Sequence, residues 1–250
     1  MLADAGRAAG AQVFVVNLRG EADGELKPPR VDDATTIALG ALSKALKFLK
    51  ANAVQELLFC GGVTKTRLFD LRPDPAALKL LTHLPQTGDD RVLRALSAFF
   101  EDAGIRVGAP IDWLPEALAQ AGLIAGKPPG EQAQADLALG LKVARGIGDL
   151  EIGQTVVVCR GTVVAVEAIE GTDTMLERAG QLAKKGAVVV KAGKPHQDRR
   201  LDLPTVGPET LETMAAAGLK TLGLEAGCLI LDREEFIATA TRLKVTIVGL

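Results

Sequence analysis

A chain of 250 residues has room for one or two domains, and 48% hydrophobic against 24% charged residues is the composition of a globular protein. A formal net charge of −2 without any block of like charge excludes a nucleic-acid patch and a basic membrane-seeking tail. Aromatic residues at 3%, with no Tyr, exclude binding by base stacking and leave Ala, Val, Leu and Ile to build the core.

In chain order, "MLADAGRAAG" reads as a helix ended by Gly10, and "QVFVV" follows as a short β-branched strand. "TTIALGALSKALKFLKANA" places Ile37, Leu39, Leu42, Leu46 and Leu49 near helical spacing, with Thr35 or Thr36 as the cap. "VQELLFCGGV" predicts a buried strand running into a glycine loop. "DPAALKLLTHL" and "DDRVLRALSAFFEDAG" predict helices opened by Asp, and "IRVGAP" a further strand. Strands alternating with helices imply a parallel sheet. "GLIAGKPPGEQAQ" has the Gly/Pro punctuation of a linker.

Beyond it, "ADLALGLKVARGIG" predicts a helix, and "QTVVVCRGTVVAVEAIEG" a β-hairpin turning at Arg160-Gly161. "GTDTMLERAGQLAKKG" is a helix capped by Thr172 or Asp173, and "AVVVKAG" is a strand. Pro208 opens the next helix, and the last thirty or so residues supply strands around a helix capped by Asp232, with Glu235 at capping-box distance. The expected fold is therefore two α/β domains: an N-terminal, Rossmann-like parallel-sheet domain over 1–122, a linker over 123–134, and a C-terminal mixed-sheet domain over 135–250.

Cys60, Cys159 and Cys228 lie far apart beside apolar runs, which predicts buried free thiols in a reducing compartment. With His83 and His196 the only histidines, a zinc site or a His-rich metallophosphoesterase centre is excluded. No apolar run approaches the ~20 residues of a membrane span, and no signal peptide is recognisable, so a cytoplasmic location is expected.

Ionisable residues crowd into "VVVKAGKPHQDRRLDLPTVGPETL", residues 188–211, between a strand and a helix. In α/β folds ligands bind at such junctions. The strand delivers Lys191 to its carboxyl end, Lys194, Arg199 and Arg200 suit phosphate oxygens, and Leu203-Pro204 restrains the backbone next to Asp202. The alternative is a solvated loop whose charges pair with one another. A second acidic set, Glu167, Glu170 and Asp173 around Gly171 and Thr172, suits Mg2+ or, through helix N–H groups, a phosphate; the alternative is plain helix capping by Thr172 and Asp173. "CGGVTK" is a glycine loop without the P-loop spacing. In "GDD", Asp89 or Asp90 is either an N-cap or a ribose ligand.

"VVAVEAIEGTDTMLERA" joined to "KAGKPHQDRRLDLPTVGPETLETMAAAGLKTLGLEAG" resembles the C-terminal domain of the UDP-2,3-diacylglucosamine pyrophosphatases of bacterial lipid A synthesis, the type without metallophosphoesterase motifs. The likeness extends back through "CGGVTK" and "GDDRVLRALSAFFEDAG" and covers nearly the whole chain. It implies Mg2+-dependent (or Mn2+-dependent) hydrolysis of UDP-2,3-diacylglucosamine to UMP and 2,3-diacylglucosamine 1-phosphate. The essential aspartate falls by motif on Asp202, with Glu167, Glu170 and Asp173 as companion metal ligands. Substrate contacts are expected at Gly61, Gly62, Asp89, Asp90, Gly171, Thr172, Asp173, Lys191, Lys194, Gln197, Arg200 and Thr205. The nucleotide is assigned to the N-terminal domain and catalysis to the C-terminal one. The family opens with a strand and a glycine-rich turn that this sequence lacks, so an N-terminal sheet incomplete at its start is expected.

The resemblance also implies transient contact with the inner face of the inner membrane. The low charge of "IATATRLKVTIVGL" suggests a buried last strand at a subunit contact, and hence a homodimer. Two other functions compete: a pyrophosphatase of a soluble nucleotide sugar, which would need no groove for acyl chains, and a non-catalytic binder of the nucleotide lipid. The carboxylates argue against the binder, because a pure pyrophosphate receptor gains from having fewer of them.

Overall fold

The computed structural model describes residues 1–21, 26–61, 73–82, 89–183, 185–194, 198, 200–201 and 203–250, without the side chains of residues 81 and 89–91. The chain divides into two units: Met1–Leu114 with Asp198–Asp202, and Pro115–Gln197 with Leu203–Leu250. The short piece of the charged stretch thus belongs with the first unit, although a C-terminal catalytic domain running unbroken from 135 was expected.

The first unit holds α1 (Leu2–Ala8), β1 (Phe14–Leu18), β2 (Asp33–Ile37), α2 (Leu42–Ala51), β3 (Glu56–Leu57), α3 (Pro75–Thr82), α4 (Asp89–Asp102), β4 (Arg106–Val107) and α5 (Pro110–Trp113). Its strand pairs, β1–β2 and β3–β4, are both parallel, as the strand–helix alternation predicts. Thr35 and Thr36, expected to cap a helix, lie inside β2 opposite Val16 and Asn17. Their branched side chains suit a pleated surface, and Gly40 at φ 89° turns the chain toward α2. The strand expected over 54–63 contracts to the two residues of β3. Asp74 opens α3 as predicted: its carboxylate accepts the Ala77 N–H at 2.9 Å and also the Ser43 N–H at 2.7 Å. The core of this unit gathers Ile37, Ala45, Leu49, Phe100, Ile105, Val107 and Leu201.

The second unit starts with a 3-10 turn, Pro115–Ala117, and continues with β5 (Gly122–Ala125), α6 (Glu131–Asp149), β6 (Thr155–Cys159), β7 (Thr162–Val166), α7 (Thr172–Leu182), β8 (Val188–Lys191), β9 (Thr205–Val206), α8 (Pro208–Ala216), β10 (Thr221–Leu224), β11 (Leu229–Ile230), α9 (Arg233–Leu243) and β12 (Thr246–Gly249). Six strands form a mixed sheet in the order β5-β12-β10-β8-β6-β7. β8, β10 and β12 run parallel, while β5, β6 and their partners are antiparallel. β9 and β11 form a separate parallel pair.

The stretch 123–134 is not a linker. β5 pairs with β12, and α6 has begun by Glu131. The Gly/Pro punctuation marks only the turn between them, where Gly126 takes φ 83° and a Cβ would lie 2.9 Å from the Thr246 Cα.

β6 and β8 are buried on both faces, which is why they read as unbroken Val runs. Their alternate residues feed two clusters. Val156, Val158, Val188 and Val190 meet Leu137 and Ala144 of α6. Val157, Cys159 and Val189 meet Met175, Leu176, Leu211 and Phe236 of α7, α8 and α9. The hairpin β6–β7 turns at Arg160 and Gly161, both at positive φ (51° and 77°), as a two-residue primed turn requires. Asp232 stands at the predicted N-cap position of α9, but in left-handed backbone and without the expected side-chain capping bond. Of the three cysteines, none in a disulfide, Cys159 and Cys228 are buried as expected; Cys60 is exposed.

Candidate functional site

The carboxyl end of β8 lies beside the start of α7. Lys191 ends β8 and is only 7% exposed. Strand register places it opposite Thr155, 1% exposed, so both side chains leave the α7 face of the sheet. β7 runs out into Glu167, also buried, at 9%. The N-cap of α7 is Gly171 at φ 82°, not Thr172 or Asp173 as expected, and no side chain caps the helix. Thr172 therefore bonds elsewhere. Its hydroxyl donates to Glu167 Oε1 at 2.8 Å, and Lys191 Nζ donates to Thr172 Oγ1 at 3.3 Å. The order is forced by chemistry, since a carboxylate only accepts and an ammonium only donates. Glu167 Oε2 accepts the Gln154 N–H at 3.4 Å.

Two polar atoms in this neighbourhood, Gln154 Oε1 and Thr155 Oγ1, are buried without a hydrogen-bond partner among the described residues. Cys228 donates its S–H to the Lys191 carbonyl at 3.6 Å, and burial pushes its thiol up to about 12, which makes it inert at neutral pH.

The expected metal set is not assembled by Glu167, Glu170 and Asp173. Among the described residues no three His, Cys, Asp or Glu side chains come together as a metal site. Glu167 is occupied as above. Glu170 turns to Arg178 at 2.6 Å, and its own backbone N–H with that guanidinium holds its carboxyl below the usual range. Asp173 is exposed in the first turn of α7.

Arg200, expected on a phosphate, is held by carboxylates within the first unit. Its Nη2 reaches Asp198 Oδ2 at 2.8 Å and its Nη1 reaches Glu101 Oε1 at 2.9 Å. The Arg200 side chain, opposed by slight burial, keeps the Asp198 carboxyl low, and Asp198 in turn raises Arg200. Thr205 turns onto its own backbone, donating to the Leu203 carbonyl at 2.8 Å. Lys194 is half-buried just beyond the end of β8, and Gly61 is exposed at φ 82°. Asp89 and Asp90 start α4, their side chains undescribed. Gly62, Gln197 and Asp202 lie outside the described residues.

Two structural anchors escaped sequence reasoning. Asp136, 1% exposed on α6, accepts the N–H groups of Arg160 and Gly161, each at 2.7 Å, and so ties the hairpin turn to the helix. Its signal was present: Asp136, Gly140 and Ala144 share one buried helical stripe, where an acid needs a reason. Glu225 accepts from Arg145 Nη2 at 2.6 Å and from the Gly193 N–H at 2.8 Å, and so fixes the backbone just past β8. No local spacing announces that bond.

The arrangement is one of buried donors at the end of a central strand, and the chain that carries it is similar to known proteins. Residues 1–117 match the family model of the LpxI N-terminal domain, and residues 120–248 that of the LpxI C-terminal domain. A Caulobacter vibrioides protein, UDP-2,3-diacylglucosamine pyrophosphatase LpxI, is 37% identical over 255 residues, covering 97% of this chain and 90% of its own. Among solved structures, the apo dCMP deaminase of cyanophage S-TIM5 covers 49% of this chain and 100% of its own at 12% identity and a TM-score of 0.30, a likeness too slight to argue from. Matched in both halves and along nearly its whole length, the chain belongs to the LpxI family.

Proposed function

We propose that this protein hydrolyses the pyrophosphate bond of UDP-2,3-diacylglucosamine, releasing UMP and 2,3-diacylglucosamine 1-phosphate for lipid A synthesis. The observation that carries the reading is the 37% identity, across both domains, to a relative named for that activity. In the reaction, water oxygen bonds to one phosphorus as a bridging P–O bond breaks. The departing phosphate keeps the bonding pair, and the water protons pass to solvent or product. The protein contributes chiefly by stabilising the charge on those oxygens. Lys191 and the N-terminus of α7 are suited to this, being a cation and a set of N–H donors at the end of a central strand.

Asp202 is the proposed essential aspartate, and Mg2+ or Mn2+ the proposed cofactor. When bound, the ion would neutralise phosphate charge. Glu167, Glu170 and Asp173 do not gather as its ligands, so no step above is routed through the ion. The enzyme is proposed to work in the cytoplasm, meeting its lipid substrate at the inner membrane face. No helix among the described residues is long and apolar enough to cross a membrane.

The test is incubation of the full chain with UDP-2,3-diacylglucosamine, following UMP by chromatography. We expect UMP and the sugar phosphate in equal amounts, stopped by EDTA and restored by Mg2+ or Mn2+. No UMP under any condition overturns the activity, undiminished release in EDTA overturns the metal, and equal turnover of UDP-N-acetylglucosamine overturns the lipid substrate.

A further inference from the structure

The cluster at the end of β8 is incomplete as a set of hydrogen bonds. An ammonium has three N–H donors, yet among the described residues Lys191 Nζ has one acceptor, Thr172 Oγ1, at a long 3.3 Å. Its cross-strand neighbour Thr155 is sealed from solvent, with a hydroxyl that touches no acceptor or donor among the described residues. Gly171 offers no side-chain oxygen to the first-turn N–H groups of α7. Buried cations and hydroxyls short of partners are costly, and here a buried ammonium at the uncapped start of α7 and its buried cross-strand hydroxyl are both short of acceptors among the described residues, which calls for something that accepts. Glu167 is not that acceptor for Lys191: no ion pair joins them, and the Thr172 hydroxyl, which donates to Glu167 and accepts from Lys191, stands between.

Resting on the pyrophosphatase reading, we propose that Thr155, Lys191 and the first turn of α7 form an oxyanion pocket for a phosphate group, and that Glu167 is a positioning residue rather than a metal ligand. Lys191 and the Thr155 hydroxyl donate to phosphate oxygens, joined by α7 N–H groups. Glu167 accepts the Thr172 O–H hydrogen bond, which turns a Thr172 lone pair onto Lys191 and fixes the direction of the ammonium. The same phosphate chemistry occurs on the nucleotide side and on the sugar side of the substrate, and separate probes tell them apart.

The experiment is calorimetric titration of the full chain with UMP, glucosamine 1-phosphate, inorganic phosphate and uridine, with melting temperatures recorded in parallel. Lys191→Met and Thr155→Val should each weaken a phosphate-bearing probe about tenfold or more, the scale of a lost charge-assisted bond, and leave uridine unchanged. Loss confined to UMP assigns the nucleotide phosphate; loss confined to glucosamine 1-phosphate assigns the sugar phosphate. Both variants should melt at or above the wild-type temperature, because each deletes an unmet polar group. A merely structural Lys191 or Thr155 would instead lower the melting temperature and leave affinity unchanged, which overturns the pocket, as does failure of wild type to bind any phosphate probe.

Glu167→Gln and Thr172→Val should each weaken the same probe several-fold, the double variant no further, and Thr172→Ser should restore it. A shift in the Mg2+ concentration needed for binding by Glu167→Gln, or additive losses, overturns the positioning role. Phosphate binding of this pattern without turnover of the diacyl substrate would leave the pocket and remove the pyrophosphatase reading. Turnover with unchanged variant affinities would do the reverse.

Discussion

Two charged regions of this protein are built in opposite ways. At 198–201 every described ion has a counter-ion: Arg200 lies between Asp198 and Glu101, with side chains 21–41% exposed. At the end of β8 the polar groups are deeply buried and matched to hydroxyls rather than to opposite charges, and two oxygens have no partner among the described residues. Water softens the first arrangement, so its ion pairs contribute little and can be remade. Low dielectric sharpens the second, so each missing partner is expensive. A satisfied surface network and an unsatisfied buried one thus look alike in sequence, as polar groups near a loop, yet only the second leaves buried oxygens without partners among the described residues.

The sharpest way to break the comparison is Asp202→Ala. Asp202 follows the satisfied stretch directly in sequence, and it is the aspartate proposed above as essential. We expect at least ~10³-fold loss of UMP release with an unchanged melt, the scale of removing a transition-state electrostatic group. Retention of more than a tenth of the rate would leave the buried cluster as the whole of the polar machinery.

Next in size is Asp136→Ala. The hairpin that presents Thr155 and Glu167 is tied to α6 by two bonds to this buried carboxylate. Loss of both, with two N–H groups left unpaired, should cost about 3 kcal/mol in urea unfolding. Asp136→Asn, which keeps one acceptor, should cost roughly half as much. A cost below about 0.5 kcal/mol would mean that the turn holds itself.

A smaller effect is expected at Asp198→Asn, about 0.5–1 kcal/mol for a pair this exposed. The sign of its pH dependence follows from the lowered carboxyl: folding favours the ionised form, so the contribution is present above the ordinary pKa and disappears as pH falls through the lower folded value, below about pH 4. A wild-type and mutant difference that persists at pH 2 would contradict this. The least effect belongs to Glu170→Gln. Its carboxylate serves Arg178 on the surface, and UMP release should stay within about twofold of wild type. A large loss would restore Glu170 as a metal ligand and bring the surface set into the chemistry.

Much of this molecule was written in local pattern. The hairpin at Arg160-Gly161, the helices at 172, 208 and 233, and the double-sided burial of the Val runs all follow from turn chemistry and periodicity, which act over a few residues. Pattern failed where one signal serves two purposes. Thr35 and Thr36 suit a cap or a strand, and the Gly126–Gly130 punctuation suits a linker or a tight turn; only pairing with β1 and of β5 with β12 decided. The acidic motif was legible as a motif, but its partners were not. Arg200 meets Glu101 across 99 positions, Lys191 meets Thr172 across 19, and Asp136 meets Arg160 across 24. Residue type and spacing determined which segments form and where ionisable groups concentrate, because those depend on backbone sterics and one-dimensional periodicity. Which charge is neutralised, and which is buried with donors to spare, was decided by tertiary structure alone, because electrostatic pairing depends on through-space distance and on exclusion of water.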